Sequence, residues 1–372
     1  MKTTSRIISA IIMIAYFSVI SNGQRQSSLY IDDGSGHFSI LKAAAGGGTV
    51  TMPSGSGTLT FGSGGGCAPS TGSITTFFDN GSHTGYTYSG FAQTYGSGSW
   101  SAGAALPVAQ YGTVSAVLNG KIYIIGGFNG SQNNNQIYDP ITNSWSIGAV
   151  LPVPQAEGIA TEMNGKIYVM GGVNGAENDN QIYDPATNAW SAGAALPFGD
   201  YGQTSQVVNG KINVIGGHNG FNINEIYDPI ANTWSSGALL PTGQQYLSSG
   251  VVGGKIYAIG GQNGSQNNNQ IYDPVANTWS TGAVLPVGQF AEASVAVGNY
   301  IYVLGGVNGN HNNNQIYNTA TNSWSTGAVL PNGVIETSVA NVNGILYVIG
   351  GLGSSNNQIY TPSVTIYYFT AN

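Results

Sequence analysis

Four carboxylates, Glu157, Asp200, Glu292 and Glu336, stand a few residues after four of the six Leu-Pro dipeptides in this chain. Tyr111, Tyr201, Tyr246 and Phe290 occupy roughly equivalent places. Paired acids held at the right separation hydrolyse glycosidic bonds, and the same groups coordinate calcium, attract a basic partner or keep a protein soluble. Aromatic faces beside carboxylates suit a sugar or a basic peptide. Two classes of function therefore stay open: a binding module for protein or glycan, and a carbohydrate-active enzyme working through an acidic rim.

Other chemistries find no residues. His37, His83, His218 and His311 are scattered, Cys67 is the only cysteine, and no Gly-x-Ser-x-Gly or His-Glu-x-x-His run occurs, so neither a metal site nor a cofactor is expected. The cations after Arg25 are Lys42, Lys121, Lys166, Lys211 and Lys255. None of them falls near the four acids, so pairing of an acidic substrate by arginine is excluded there. With 8 basic against 15 acidic residues, nucleic acid is a poor partner.

The residues that must position these groups form a repeat. Gly-Gly pairs stand at Gly126-Gly127, Gly171-Gly172, Gly216-Gly217, Gly260-Gly261, Gly305-Gly306 and Gly350-Gly351. A spacing near 45 residues means a propeller or solenoid. Each unit carries Leu-Pro, a polar strand, an Asn-Gly-type turn, an apolar strand ending in Gly-Gly, an Asn-rich loop, a segment like Gln-Ile-Tyr-Asp-Pro, then Asn-x-Trp-Ser: four strands. Asn119-Gly120, Asn164-Gly165, Asn209-Gly210 and Asn343-Gly344 suit type I′ hairpins. Tyr138 and Trp145, Tyr183 and Trp190, Tyr227 and Trp234, Tyr272 and Trp279, and Tyr317 and Trp324 are seven apart, rings expected to bury between neighbouring sheets. The glycine pairs are expected where backbone passes close to the next sheet.

This pattern resembles the kelch repeat family, marked by a hydrophobic strand, a glycine pair, then Tyr and Trp about seven residues apart. The resemblance covers Leu106 to about Phe369 and implies an all-β propeller with one four-stranded sheet per blade. It implies no particular activity, since kelch propellers include both enzymes and scaffolds. The copper oxidases of this type need His and Tyr ligands and a Cys joined to a Tyr, whereas here His218 and His311 sit in different units and His37, His83 and Cys67 lie outside the repeats.

Six blades are expected, with seven as the alternative. The last unit has Tyr360 and, seven residues on, Tyr367, in the slot that Trp fills elsewhere. Yet Trp100-Ser101-Ala102-Gly103 is an additional fourth-strand motif. Either it closes the ring by pairing with the last blade, displacing the Tyr367 strand, or it ends a degenerate seventh blade.

Differences between units concentrate just after Leu-Pro, on the face shared by the loops joining strands two to three and four to one. Loops on a rigid scaffold are where binding residues lie. Residues 1–23 carry Lys2, Arg6, the apolar run Ile7 to Ile20 and small residues Ser21 and Gly23, the pattern of a signal peptide cleaved after Gly23. The run of 14 residues is short for a bilayer, which takes roughly 20, so no membrane span is expected after cleavage. The expected location is secreted, periplasmic or cell-surface. Residues 24–99 are rich in Gly and Ser and are expected as a small β module or stalk preceding a propeller at 100–370.

Overall fold

The computed structural model describes residues 98–362 except 176, 219, 220, 264, 265, 309 and 310. Beyond these it describes only the backbone of strands Ala15–Ser21, Gln24–Asp32, Phe38–Lys42, Tyr88–Tyr95 and Val364–Ala371. The expected cleavage point after Gly23, and Cys67, His37 and His83, lie outside the described residues. Among the described residues no helix is long and apolar enough to cross a membrane.

Ser97–Thr361 form one compact unit, a ring of six four-stranded antiparallel sheets. Blade 1 runs Val114–Leu118, Lys121–Ile125, Asn135–Asp139, Ser144–Ile147. Blades 2 to 5 begin at Ile159–Met163, Thr204–Val208, Ser248–Val252 and Glu292–Val297 and follow the same order. Blade 6 takes Ser338–Val342, Ile345–Ile349 and Asn357–Thr361 from the end of the repeats and Ser99–Ala102 from before them. Trp100 pairs with Tyr360, their ring centroids 4.9 Å apart. The Trp100 strand therefore closes the ring. The Tyr367 strand, Val364–Ala371, pairs instead with Tyr88–Tyr95. It belongs to a second unit of residues 1–96 and 362–372, which also holds a three-stranded sheet of Ala15–Ser21, Gln24–Asp32 and Phe38–Lys42.

Local chemistry accounts for the turns. Asn119 and Gly120 have φ of 52° and 73°, the two left-handed positions that a type I′ hairpin needs, and Asn164-Gly165, Asn209-Gly210 and Asn343-Gly344 repeat them. At the next reversal Asp139 Oδ1 accepts from the Ile141 N–H at 2.9 Å. Its other oxygen pairs with Lys121 at 3.3 Å, and Lys166, Lys211 and Lys255 pair likewise with Asp184, Asp228 and Asp273. These pairs are solvated and add little stability.

Between blades, each Tyr is buried and its Trp half-buried, with ring centroids 5.0 Å apart in Tyr138–Trp145 and Tyr227–Trp234. The Trp indole reaches back one blade: Trp190 Nε1 donates to Ala149 O at 2.8 Å, an oxygen that also accepts from Asn135 Nδ2 at 3.2 Å.

The glycine pair makes the second joint. The second glycine's N–H donates to the carbonyl of the loop that leads into the next blade: Gly127 to Gln155, Gly172 to Asp200, Gly217 to Gln244, Gly261 to Gln289, Gly306 to Val334 and, closing the circle, Gly351 to Gln110, all within 2.9–3.1 Å. The first glycine has positive φ, and a Cβ on Gly126 would collide with Gln155 O. No side chain fits.

Gly126→Ala should therefore cost about 3 kcal/mol or more, combining left-handed strain with a backbone collision. Gly120→Ala, where a Cβ meets nothing within 4 Å, should cost about 1 kcal/mol. Urea denaturation of the two variants measures the difference. Trp100→Ala should destabilise the ring about as much as Trp234→Ala, by roughly 2–3 kcal/mol, whereas a ring closed without the Ser99–Ala102 strand would tolerate it.

Candidate functional site

The first strand of each blade lines a central channel of about 480 Å³. One or two residues before each first strand, the chain turns through a left-handed position: Gly112, Glu157, Gly202, Tyr246, Ala291 and Glu336 have φ between 52° and 67°. The six are joined head to tail. Glu157 N–H donates to Gly112 O at 2.8 Å, Gly202 to Glu157 at 2.9 Å, Tyr246 to Gly202 at 2.7 Å, Ala291 to Tyr246 at 2.9 Å, Glu336 to Ala291 at 3.0 Å and Gly112 to Glu336 at 3.0 Å. A closed ring of six backbone hydrogen bonds thus frames the channel mouth, on the face where the units differ.

Its occupants are unusual for their backbone. Of 17 described non-glycine residues with positive φ, 12 are Asn, the side chain that tolerates this region best; the others are Glu157, Tyr246, Ala291, Glu336 and His311. Four of these five are ring members. Strain retained under side chains with no local reason to be there marks a site.

Of the eight residues singled out in the sequence, Glu157, Tyr246 and Glu336 lie in this ring and line the channel. Tyr246 Oη donates to Glu157 Oε2 at 3.1 Å. Burial holds the Glu157 carboxyl above the usual glutamate range against the pull of Tyr246 and His218, and burial, then the Glu157 charge, raises Glu336. Burial, then Glu157, raises the Tyr246 phenol well above its ordinary value. Tyr111, Tyr201 and Phe290 each stand one residue before a ring member. Tyr111 packs on Phe128 with centroids 5.2 Å apart, and Tyr201 lies 6.3 Å from Tyr246.

Asp200 and Glu292 are both buried, and of the two only Glu292 borders the channel. Asp200 Oδ1 accepts from the N–H groups of Tyr201 and His218, so it fastens one loop to another. Burial raises its carboxyl despite those donors. Glu292 accepts from Ser248 Oγ at 3.3 Å and is pushed by burial to about 8. Two of the four carboxylates, Glu157 and Glu336, thus stand half-buried at the mouth, and the other two are buried.

His218, an isolated surface residue by its sequence context, is half-buried and stacks on Tyr201 at 4.3 Å. Gln245 Nε2 donates to Gln262 Oε1 at 2.9 Å, which turns Gln245 Oε1 toward His218 Nδ1 at 3.1 Å. His218 Nε2 lies 3.0 Å from Tyr201 Oη, so both ring nitrogens have a partner within the site. The signal for this site was the aligned column Gly, Glu, Gly, Tyr, Ala, Glu, where glycine hints at a left-handed turn. Several amides of the Asn-rich loops are spent inside the fold, as Asn134 Nδ2 is on Gln110 Oε1 at 3.2 Å. Among the described residues no group of His, Cys, Asp and Glu is arranged to hold a metal ion.

The family model described as the KLHDC2/KLHL20/DRC7 Kelch-repeats domain matches residues 159–351, and the Kelch motif matches residues 111–149. No curated protein matches the chain. Among solved structures, the structure of YjhT is similar to it in fold, with a TM-score of 0.60 and 19% identity over 72% of this chain and 99% of that one.

The position of Glu292 has a consequence for stability. Its folded pKa of about 8 stands above the ordinary value of 4.5, so the folded protein keeps a proton that the unfolded chain releases. Stability therefore falls as pH rises between those values. Glu292→Gln, which keeps an acceptor for Ser248, should flatten that decline: near wild type below pH ~4, more stable above pH ~9. Thermal melts across pH check this, and parallel curves for the two proteins would contradict it.

Proposed function

The chain belongs to the kelch-repeat family, whose propellers are generally protein-interaction modules, and from that premise we propose an exported binding module that takes its ligand at the channel mouth. The observation that carries this reading is the set Glu157, Tyr246 and Glu336, three bulky or charged side chains on left-handed backbone. Drift in solvent-exposed loops would settle on Gly or Asn at such positions, because a Cβ there costs about 1 kcal/mol. Side chains held against that gradient fit a role in contact with something else. Tyr111, Tyr201 and Phe290 border the same opening and add aromatic surface of the kind that anchors ligands. Export rests on the charged, apolar and small-residue sequence of Met1 to Gly23.

A glycoside-processing reading draws on the same carboxylates, since a carboxyl held above its usual range can act as a general acid. It requires turnover. Glu157→Gln and Glu336→Gln would abolish hydrolysis of an oligosaccharide under that reading and would leave only binding changes under ours.

Binding is tested by screening the full chain on protein and glycan arrays, then replacing Tyr111, Tyr201 and Tyr246 singly by Ala. We expect at least one to weaken affinity by ~2 kcal/mol with melting temperature preserved. Glu336→Gly should leave stability unchanged or raise it by about 1 kcal/mol while weakening the ligand. Unchanged affinity in every variant, or loss only with unfolding, would overturn the mouth as the docking site.

A further inference from the structure

Five of the six blades fasten the loop that leads into them with one glutamine of the third strand. The Val108 N–H donates to Gln136 Oε1 at 2.9 Å, and Gln136 Nε2 donates back to Val108 O at 3.3 Å. Gln181 clamps Val153 in the same two-way fashion, Gln270 clamps Thr242, Gln315 clamps Val287 and Gln358 clamps Asn332. In these four the backbone N–H donates at 2.8 Å and the amide donates back at 3.0–3.1 Å. Each clamped residue follows a Leu-Pro, and each glutamine precedes the Ile-Tyr of its third strand. An amide suits this place because it carries an acceptor and a donor side by side, matching the N–H and C=O of one backbone residue.

Blade 3 has Glu225 at that position and Phe198 after its Leu-Pro. Among the described residues no hydrogen bond joins the two; both Glu225 oxygens instead lie 3.3 Å from Ser236 Oγ, on the neighbouring strand. An ionised carboxylate has acceptors and no donor, so it can satisfy the Phe198 N–H only by setting its other oxygen against the Phe198 carbonyl. Protonated, the carboxyl has one accepting oxygen and one O–H, and it reproduces the glutamine pattern. Glu225 is buried, and burial raises its carboxyl above the usual glutamate range against the pull of Ser236. Its cross-strand neighbours, Val214 and Ser236, carry no charge. The ionisable groups of the surrounding loops are Asp200, Tyr201, His218 and Glu177, the last packed against Gly199. Asp200 takes the place of Gln110 and Gln289, which accept from the clamp glutamines of blades 1 and 5, but its carboxylate turns to the N–H groups of Tyr201 and His218.

We propose that Glu225 is a proton-operated latch on the loop from Phe198 to Tyr201: protonated, it grips Phe198 as the glutamines grip their loops, and ionised, it lets Phe198 go and turns to Ser236. The arrangement in the structure is the released one. The far end of the loop is held separately, because Asp200 O accepts from the Gly172 N–H at 2.9 Å and the Asp200 N–H donates to Glu177 O at 3.0 Å. The segment set free is Phe198 and Gly199, which lead into Tyr201, stacked on His218 at the border of the channel mouth. The clamp is complete below the unfolded glutamate value of 4.5 and is lost as pH rises through the raised folded one. The other five leading loops are held by an amide, which does not titrate, so the mouth loosens on one side only.

Amide hydrogen exchange of the full chain, read at the Phe198 and Gly199 amides and corrected for the intrinsic effect of pH, tests the latch without any ligand. We expect protection there to be about tenfold higher at pH ~4 than at pH ~8, the fold-change of roughly one hydrogen bond, with the Thr242 and Val287 amides unchanged as internal references. Glu225→Gln should keep Phe198 protected at both pH values. Gln270→Glu should transplant the pH dependence to Thr242 in blade 4. Asp200→Asn removes the other carboxyl of the loop and should leave the pH dependence of Phe198 in place; melting curves show that each variant is folded. Phe198 protection that does not change with pH in the wild type would overturn the latch, as would a pH dependence that survives Glu225→Gln or vanishes in Asp200→Asn. A folded Gln270→Glu protein whose Thr242 amide ignores pH would overturn it too. None of these results depends on where a ligand docks.

Discussion

The N–H of the second glycine in each pair points out of its own blade and into the carbonyl of the loop that opens the next. That bond forms only if the preceding residue lacks a Cβ, because the same carbonyl fills the space a Cβ would need: 2.5 Å at Gly216 and Gly305, and closer still at Gly126. Six such bonds, the last running from Gly351 to Gln110, join each blade to the next, backbone to backbone. They also fix where each leading loop begins. The residue whose carbonyl is gripped, Gln110, Gln155, Asp200, Gln244, Gln289 or Val334, is buried, and the chain reaches the left-handed ring position two residues later. A rigid mouth follows from the joint.

The outer seam works by sharing in the same way. The alanine carbonyl after each fourth strand accepts from its own blade's Asn and from the following blade's Trp, as Ala238 does from Asn224 and Trp279. The alanine N–H meanwhile donates to the left-handed turn Asn of the next blade, Asn277 in this case at 2.7 Å. That Asn also accepts from the buried hydroxyl of Tyr272 at 2.8 Å, so the tyrosine's burial leaves no unmet donor. Blade 6 lacks the turn Asn, since its third strand leads to Thr361-Pro362 and its fourth strand comes from before the repeats. Trp100 nevertheless makes its bond, to Ala328 at 2.8 Å. The ring closes with its usual contact.

Much of this architecture is legible in residues whose chemistry is local. Asn-Gly turns, Asp-Pro reversals and glycine pairs state their backbone conformation directly, and a period near 45 then dictates a ring of like sheets. The choice between Tyr367 and Trp100 was not local, because both strands satisfy the same pattern and only pairing partners separate them. The candidate site was legible in outline, since Glu157, Tyr246 and Glu336 share one repeat column. Depth was not. Asp200 and Glu292 sit within a few residues of that column, yet their carboxylates turn into the joints between blades, where Gly217 and Gly260 leave room for them. His218 belongs to a different loop and joins the site through its backbone bond to Asp200, its stacking on Tyr201 and its contacts with Tyr201 and Gln245.

The alternation of small and large ring members follows from the same geometry. Glu157 and Tyr246 extend toward the preceding blade's ring residue, so a side chain at Gly112 or Gly202 would crowd them. The six ring positions carry three large side chains, and all three are groups able to hydrogen-bond. The propeller's symmetry is broken in the one layer where identical units gain nothing by remaining identical, while the joints just behind it keep their glycines in all six blades. A ligand held there meets an asymmetric surface on a frame whose own stability depends on the glycine joints and the Tyr–Trp seams.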